Sequence, residues 1–181
     1  MKKILVPLIA SGLVALQQTS FAALENFTVS LDGAQDGGGL RTGSGSGTLS
    51  LDTVANTLTF NNIGWSGLSA DSTMSHIHGP AAVGASTGVL YPLDPTYTTV
   101  GTGIRSGTFA GTLSLVAGTG GFTIAQQVSQ LEGGLWYMNI HSTAFPGGEI
   151  RGQIIVVPEP STLALLGLGT AGLLWRLRRK N

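Results

Sequence analysis

The chain has 181 residues, 28 glycines, no cysteine and a formal net charge of zero. That zero conceals a partition: Lys2, Lys3, Arg176, Arg178, Arg179 and Lys180 lie at the two ends, while between residues 23 and 157 three arginines face eight carboxylates, a net charge of minus five. A domain that is acidic and lacks lysine has no electrostatic footprint for nucleic acid, and a chain without cysteine has no disulfide framework.

Residues 1–22 begin with Lys2 and Lys3, continue through the apolar run Ile4–Leu16 and end at Ser20-Phe21-Ala22. Positive, apolar and small residues in that order form a secretory signal peptide, with cleavage after Ala22 or Ala23. The domain proper is then residues 23–157, enough for one core and not two.

Within it, apolar and polar residues alternate in short runs bounded by Gly, Asn, Asp or Pro, which predicts strands. They fall near 25–31, 47–52, 56–63, 73–78, 88–92, 106–116, 135–142 and 149–156. Ile124–Leu131 reads as one helix, with Gly133 and Gly134 placed to end it. The fold class is all-β, a Greek-key β-sandwich or barrel-like domain. Gly43–Gly47 alternates glycine with serine ahead of a strand, not a helix, so it lacks the helix N-terminus that a phosphate-cradling loop needs and reads as a flexible turn.

All three histidines sit at predicted strand ends, in His76-Ile77-His78 and Asn139-Ile140-His141. Strand residues two apart share a face, so with Ile77 and Ile140 in the core, His76, His78 and His141 turn the other way. Three imidazoles suit zinc or copper, with Asp71, Glu149 or water completing four-coordination. The competing reading is structural, in which the same rings hydrogen-bond backbone carbonyls. Glu149 and Arg151 are also two apart on one strand, placed to pair with each other and fix the turn near His141 or to meet a ligand.

After residue 157 the chain changes character. Pro158-Glu159-Pro160 is followed by the apolar segment 163–177 and a basic tail. As a helix, about 15 residues span about 22 Å at roughly 1.5 Å each, short of the roughly 30 Å hydrocarbon core. A short span suits transient membrane association, and the basic tail keeps the C-terminus cytoplasmic.

Two stretches carry a family resemblance: Ser75-His76-Ile77-His78-Gly79-Pro80-Ala81, and Leu135–Ser142 followed by Pro146-Gly147-Gly148-Glu149-Ile150-Arg151-Gly152-Gln153. Together they resemble the CHRD (chordin-like) domain, over roughly residues 25–156. The Pro-Glu-Pro segment, apolar helix and basic tail resemble the PEP-CTERM sorting signal of Gram-negative bacteria, which an exosortase recognises.

These resemblances imply an exported protein of the cell envelope or extracellular space. Its domain is expected to act as a non-catalytic binding or structural module, in a setting linked to exopolysaccharide and biofilm matrix. The alternative is a copper or zinc domain with oxidoreductase chemistry, because His-Xaa-His on a Greek-key strand faintly resembles the copper strand of Cu,Zn superoxide dismutase. A dismutase of that kind also needs a bridging histidine, separate zinc ligands and cysteines, which this sequence does not supply. The signal-peptide reading predicts an exported form beginning at Ala23 or Leu24, which N-terminal mass spectrometry checks.

Overall fold

A computed structural model describes residues 24–37, 39–93, 96 and 104–158. The expected signal peptide 1–22, Glu159, Pro160 and the apolar segment 163–177 lie outside the described residues, within which no helix is long and apolar enough to cross a membrane.

Among the described residues eight strands form: β1 (Leu24–Asp32), β2 (Ser44–Asp52), β3 (Thr57–Ser66), β4 (Ser72–His78), β5 (Val89–Pro92), β6 (Gly107–Ser114), β7 (Tyr137–Ser142) and β8 (Ile150–Val156), with one α-helix, α1 (Ile124–Glu132), between β6 and β7. All-β is therefore the fold class, and of the two architectures left open the barrel-like one is found. The strands make one antiparallel sheet, ordered β5-β4-β7-β8-β1-β2-β3-β6 and curled into a half-barrel.

Alternation places Phe27, Val29 and Leu31 of β1, Leu49 and Leu51 of β2, Leu58, Phe60 and Ile63 of β3 and Phe109 of β6 in one core with Ile77, Met138, Ile140, Ile150 and Ile154. Helix α1 covers this core with Leu131. Thr123 caps it by accepting from Gln126 N–H while the Gln126 side chain accepts from Thr123 N–H. Its buried Gln127 donates to Val116 O and Phe122 O, tying the helix to the chain that enters it.

The turn between β2 and β3 is set by Asp52, whose Oδ1 accepts from the N–H groups of Val54 and Ala55, and by Asn56 at φ 55°. The Gly43–Gly47 segment is not a turn. From Ser44 onward it is strand β2, and glycine there permits close approach. A Cβ on Gly47 would lie 2.7 Å from Ile63 Cα, where the β2–β3 register shifts.

Strands β1 and β8 pair antiparallel, Phe27 opposite Val156 and Asp32 opposite Arg151, and Val157 N–H extends the pairing to Asn26 O at 2.7 Å. The first and last strands of the domain thus lie side by side at the sheet's centre.

Gly47→Ala forces Ile63 or the β2 backbone to move, and its expected cost is about 1–3 kcal/mol of stability. Urea unfolding of the variant beside the parent measures it.

Candidate functional site

The second face of β7, with the adjoining parts of β4 and β8, is polar and yet largely buried. Every residue of β7 is buried, Met138 and Ile140 toward the core and Tyr137, Asn139 and His141 away from it. Cross-strand register arranges this outer face in rows. His76 lies opposite Asn139, Asn139 opposite Arg151 and Arg151 opposite Asp32; His78 lies opposite Tyr137, and Tyr137 opposite Gln153; His141 lies opposite Met74. His141 is therefore diagonal to His76, a spacing that long side chains bridge.

Three loops cover these rows. From the β1–β2 loop, Gln35 Oε1 accepts from Gln153 N–H, and Asp36 Oδ1 lies 3.5 Å from Asn139 Nδ2. Arg41, 3.9 Å from Asp36, donates to Gly148 O and sits 4.6 Å over the Phe145 ring. The β7–β8 loop closes on this loop because Gly148, at φ 132°, has no Cβ to strike Asp36 and Asn139. From the β4–β5 loop, Ala81 O accepts from Gln153 Nε2.

The histidines meet beneath these loops. His78 Nδ1 lies 3.0 Å from Thr87 O, His141 Nδ1 lies 2.8 Å from Pro146 O, and His76 Nδ1 lies 3.1 Å from His141 Nε2. One ligand-capable nitrogen from each ring lies within 4.8 Å of the other two, and among the described residues no other group of histidines or carboxylates is so placed. His78 Nε2 is buried and has no hydrogen-bond partner among the described residues; the same holds for Asn139 Oδ1.

Burial, then the neighbouring His141 and His78, pushes the His76 pKa down to about 4. Burial lowers that of His78 as well, against the pull of the Thr87 carbonyl. Burial raises the Asp36 carboxyl, opposed by Arg41, His141 and Arg151. At neutral pH His76 and His78 are uncharged, the form in which imidazole binds a metal.

Other expected site residues fall elsewhere. Asp71 pairs with Arg105 at 3.0 Å. Glu149 is fully buried and accepts from Ser69 N–H, so it ties down the chain after β3. Neither joins the histidine group, so the fourth-ligand expectation for them does not hold. Glu149 and Arg151 also do not pair. Arg151 is buried with its guanidinium 3.4 Å over the Tyr137 ring and an amino group 3.4 Å from Gln153 Oε1.

Tyr137, Asp36 and Arg41 are members of this face that sequence reasoning missed, whereas the period of two places Asn139 on it with His141. The polar period of two across Tyr137-Met138-Asn139-Ile140-His141 marks Tyr137, but nothing local marks the loop residues. Beside this face, a shallow depression of about 570 Å³ lies at β1, β2 and β3, lined by serines, glycines, Leu31, Trp65 and Asp32, and it holds no cluster of titratable groups.

The CHRD domain matches residues 27–154, which is most of the chain and contains every residue of this face. The chain belongs to the CHRD family. The PEP-CTERM protein-sorting motif matches residues 156–180, directly after the CHRD match. Neither curated proteins nor solved structures give a match to the chain.

A chain with a CHRD domain and this motif is an exported protein sorted to the cell envelope in a Gram-negative bacterium. Pro158, the first residue of the motif's Pro-Glu-Pro, is exposed just beyond β8.

Because the folded His76 titrates near 4 and an unfolded histidine near 6.5, the unfolded state carries the extra proton between these values. The stability of the metal-free CHRD protein therefore falls as pH drops from 6.5 to 4, and His76→Gln makes that slope shallower. Urea midpoints measured with a chelator present across this range read both effects.

Proposed function

We propose that this CHRD protein is an exosortase-processed surface or matrix protein whose domain acts as a non-catalytic binding module, with the loop-covered face of β4, β7 and β8 as its site. The carrying observation is the burial of polar side chains on a sheet face that the core does not need. Keeping His78, Asn139, His141, Arg151 and Gln153 dry costs desolvation that a hydrophobic face would avoid. A fold bears such a cost where the groups recognise something, and here backbone carbonyls hold the rings in fixed orientations.

The matrix or polysaccharide is the partner class favoured by the sorting signal's setting. The domain's acidity argues for a neutral polymer over an anionic one, since like charges across an interface oppose association.

Cell fractionation tests this reading. The wild-type protein is expected in the surface or matrix fraction, with its mass ending near Pro160. Glu159→Ala is expected to stay in the membrane fraction with its C-terminus intact. A surface form that still carries Arg176–Asn181 sinks the processing reading, and a wild-type protein missing from the surface and matrix fraction sinks the module's placement there.

A further inference from the structure

We propose that His76 Nδ1, His78 Nε2 and His141 Nε2 together bind one divalent transition-metal ion, zinc or copper(II), with water in a fourth position. The inference deepens the binding reading above and rests on the β4–β7 face being the module's site.

The argument starts from the two carbonyls. A carbonyl oxygen only accepts, so the ring nitrogens facing Thr87 O and Pro146 O must carry hydrogen. A neutral imidazole protonated at Nδ1 has its lone pair at Nε2. His78 and His141 are therefore fixed in the tautomer that presents Nε2, and each bond also fixes the tilt of its ring. A backbone carbonyl on the far nitrogen is how metal-binding histidines are commonly oriented.

Hydrogen bonding alone accounts for only half of the His78 ring. It explains Nδ1 of His78 but leaves Nε2 buried without a partner, a loss of about 1–3 kcal/mol. An ion supplies that partner. The His76–His141 contact has a consistent ion-free state, in which His76 Nδ1–H donates to His141 Nε2. With an ion bound, both nitrogens present lone pairs and the His76 proton sits on Nε2. His76 is the half-buried member of the three, so it can exchange that proton with water and leaves the site a path of entry.

Donor chemistry selects the ion. Three neutral nitrogens and no carboxylate in the group disfavour calcium and magnesium, which take oxygen ligands. Imidazole suits zinc and copper, and three protein ligands leave a position for water. Asn139, opposite His76 in register, has a buried Oδ1 lacking a donor, and the O–H of an ion-bound water is a donor of the right kind. Asp36, on the same face, offsets part of the ion's charge. The sequence contains three histidines and no cysteine, so no second imidazole or thiolate site competes.

The test uses the full chain purified without a histidine tag, stripped with chelator and exposed in separate arms to zinc, copper(II) and calcium chloride at neutral pH. The expected result is one equivalent of zinc or of copper per chain and none of calcium, the two arms showing which ion is held more tightly. His78→Ala and His141→Ala are expected to weaken binding by more than the roughly 100-fold that loss of an outer partner can cost. His76→Ala is expected to do the same without disturbing the fold, since its ring takes no backbone hydrogen bond, and circular dichroism melting verifies that.

Nitrogen NMR of the histidine rings gives a readout that a structural role does not move. On addition of zinc, His76 passes from the Nδ1–H to the Nε2–H tautomer, while His78 and His141 remain Nδ1–H. Folded wild-type protein that takes up no zinc or copper above background overturns the proposal. So does binding that survives His76→Ala, or a His76 tautomer that zinc leaves unchanged. None of these results depends on export, so a chain that reaches the surface fraction yet binds no ion removes the metal and leaves the sorted module standing.

Discussion

His141 Nδ1 lies 2.8 Å from Pro146 O, inside the loop that joins β7 to β8. That short connection fixes the ring, and the same loop brings Gly148 against Asp36 and Asn139, where Arg41 closes it from the β1–β2 side. Once this loop is folded back, β7 is covered on both faces and the outer row of side chains is dry. Strand register brings the three imidazoles and Tyr137 together, and the low His76 pKa follows from that exclusion of water and from the neighbouring rings. A β7–β8 connection that pointed outward would leave the same residues as an ordinary wet sheet surface.

The two faces of the β4–β7–β8 region are held by different physics. Inside, Ile77, Ile140 and Ile150 join a core that accepts any well-fitting apolar set. Outside, the buried groups are specified pairwise. Tyr137 is flanked by His78, with ring centroids 4.8 Å apart and planes 2° from parallel, and by Arg151 over its face. Gln153 spends its amide on Ala81 O and Gly134 O. Substitutions on the inner side trade volume, whereas on the outer side each removes a partner that another buried group needs.

Much of the fold was legible because its strands alternate cleanly. Phe27-Thr-Val-Ser-Leu31 and Thr57-Leu-Thr-Phe60 state their inner faces outright, and the helix announces itself through Ile124–Leu131 and the glycines after Glu132. The convergence of His76, His78 and His141 was legible from period two and two predicted strands. Loop closure was not, because it depends on contacts between segments far apart in sequence, such as Arg41 with Gly148 and Gln35 with Gln153. For that reason Glu149 and Arg151 read as partners of each other at the turn near His141, when Glu149 instead accepts from Ser69 N–H and Arg151 lies over Tyr137, and Gly45 and Gly47 read as a turn when the glycines serve close strand packing.

The side-by-side pairing of β1 and β8 has a geometric consequence for the protein's display. Leu24, the first residue of β1, and Val157, at the start of the sorting segment, emerge at the same pole of the sheet. From Val156 to Arg151 the strand runs five residues, about 17 Å at roughly 3.4 Å each; His76 sits in the row of Arg151, His78 in the row of Gln153 two residues nearer that pole, and His141 beyond Arg151. A molecule tethered through Pro158 therefore stands on that pole of the sheet and holds its histidines from mid-strand outward, clear of whatever surface anchors it.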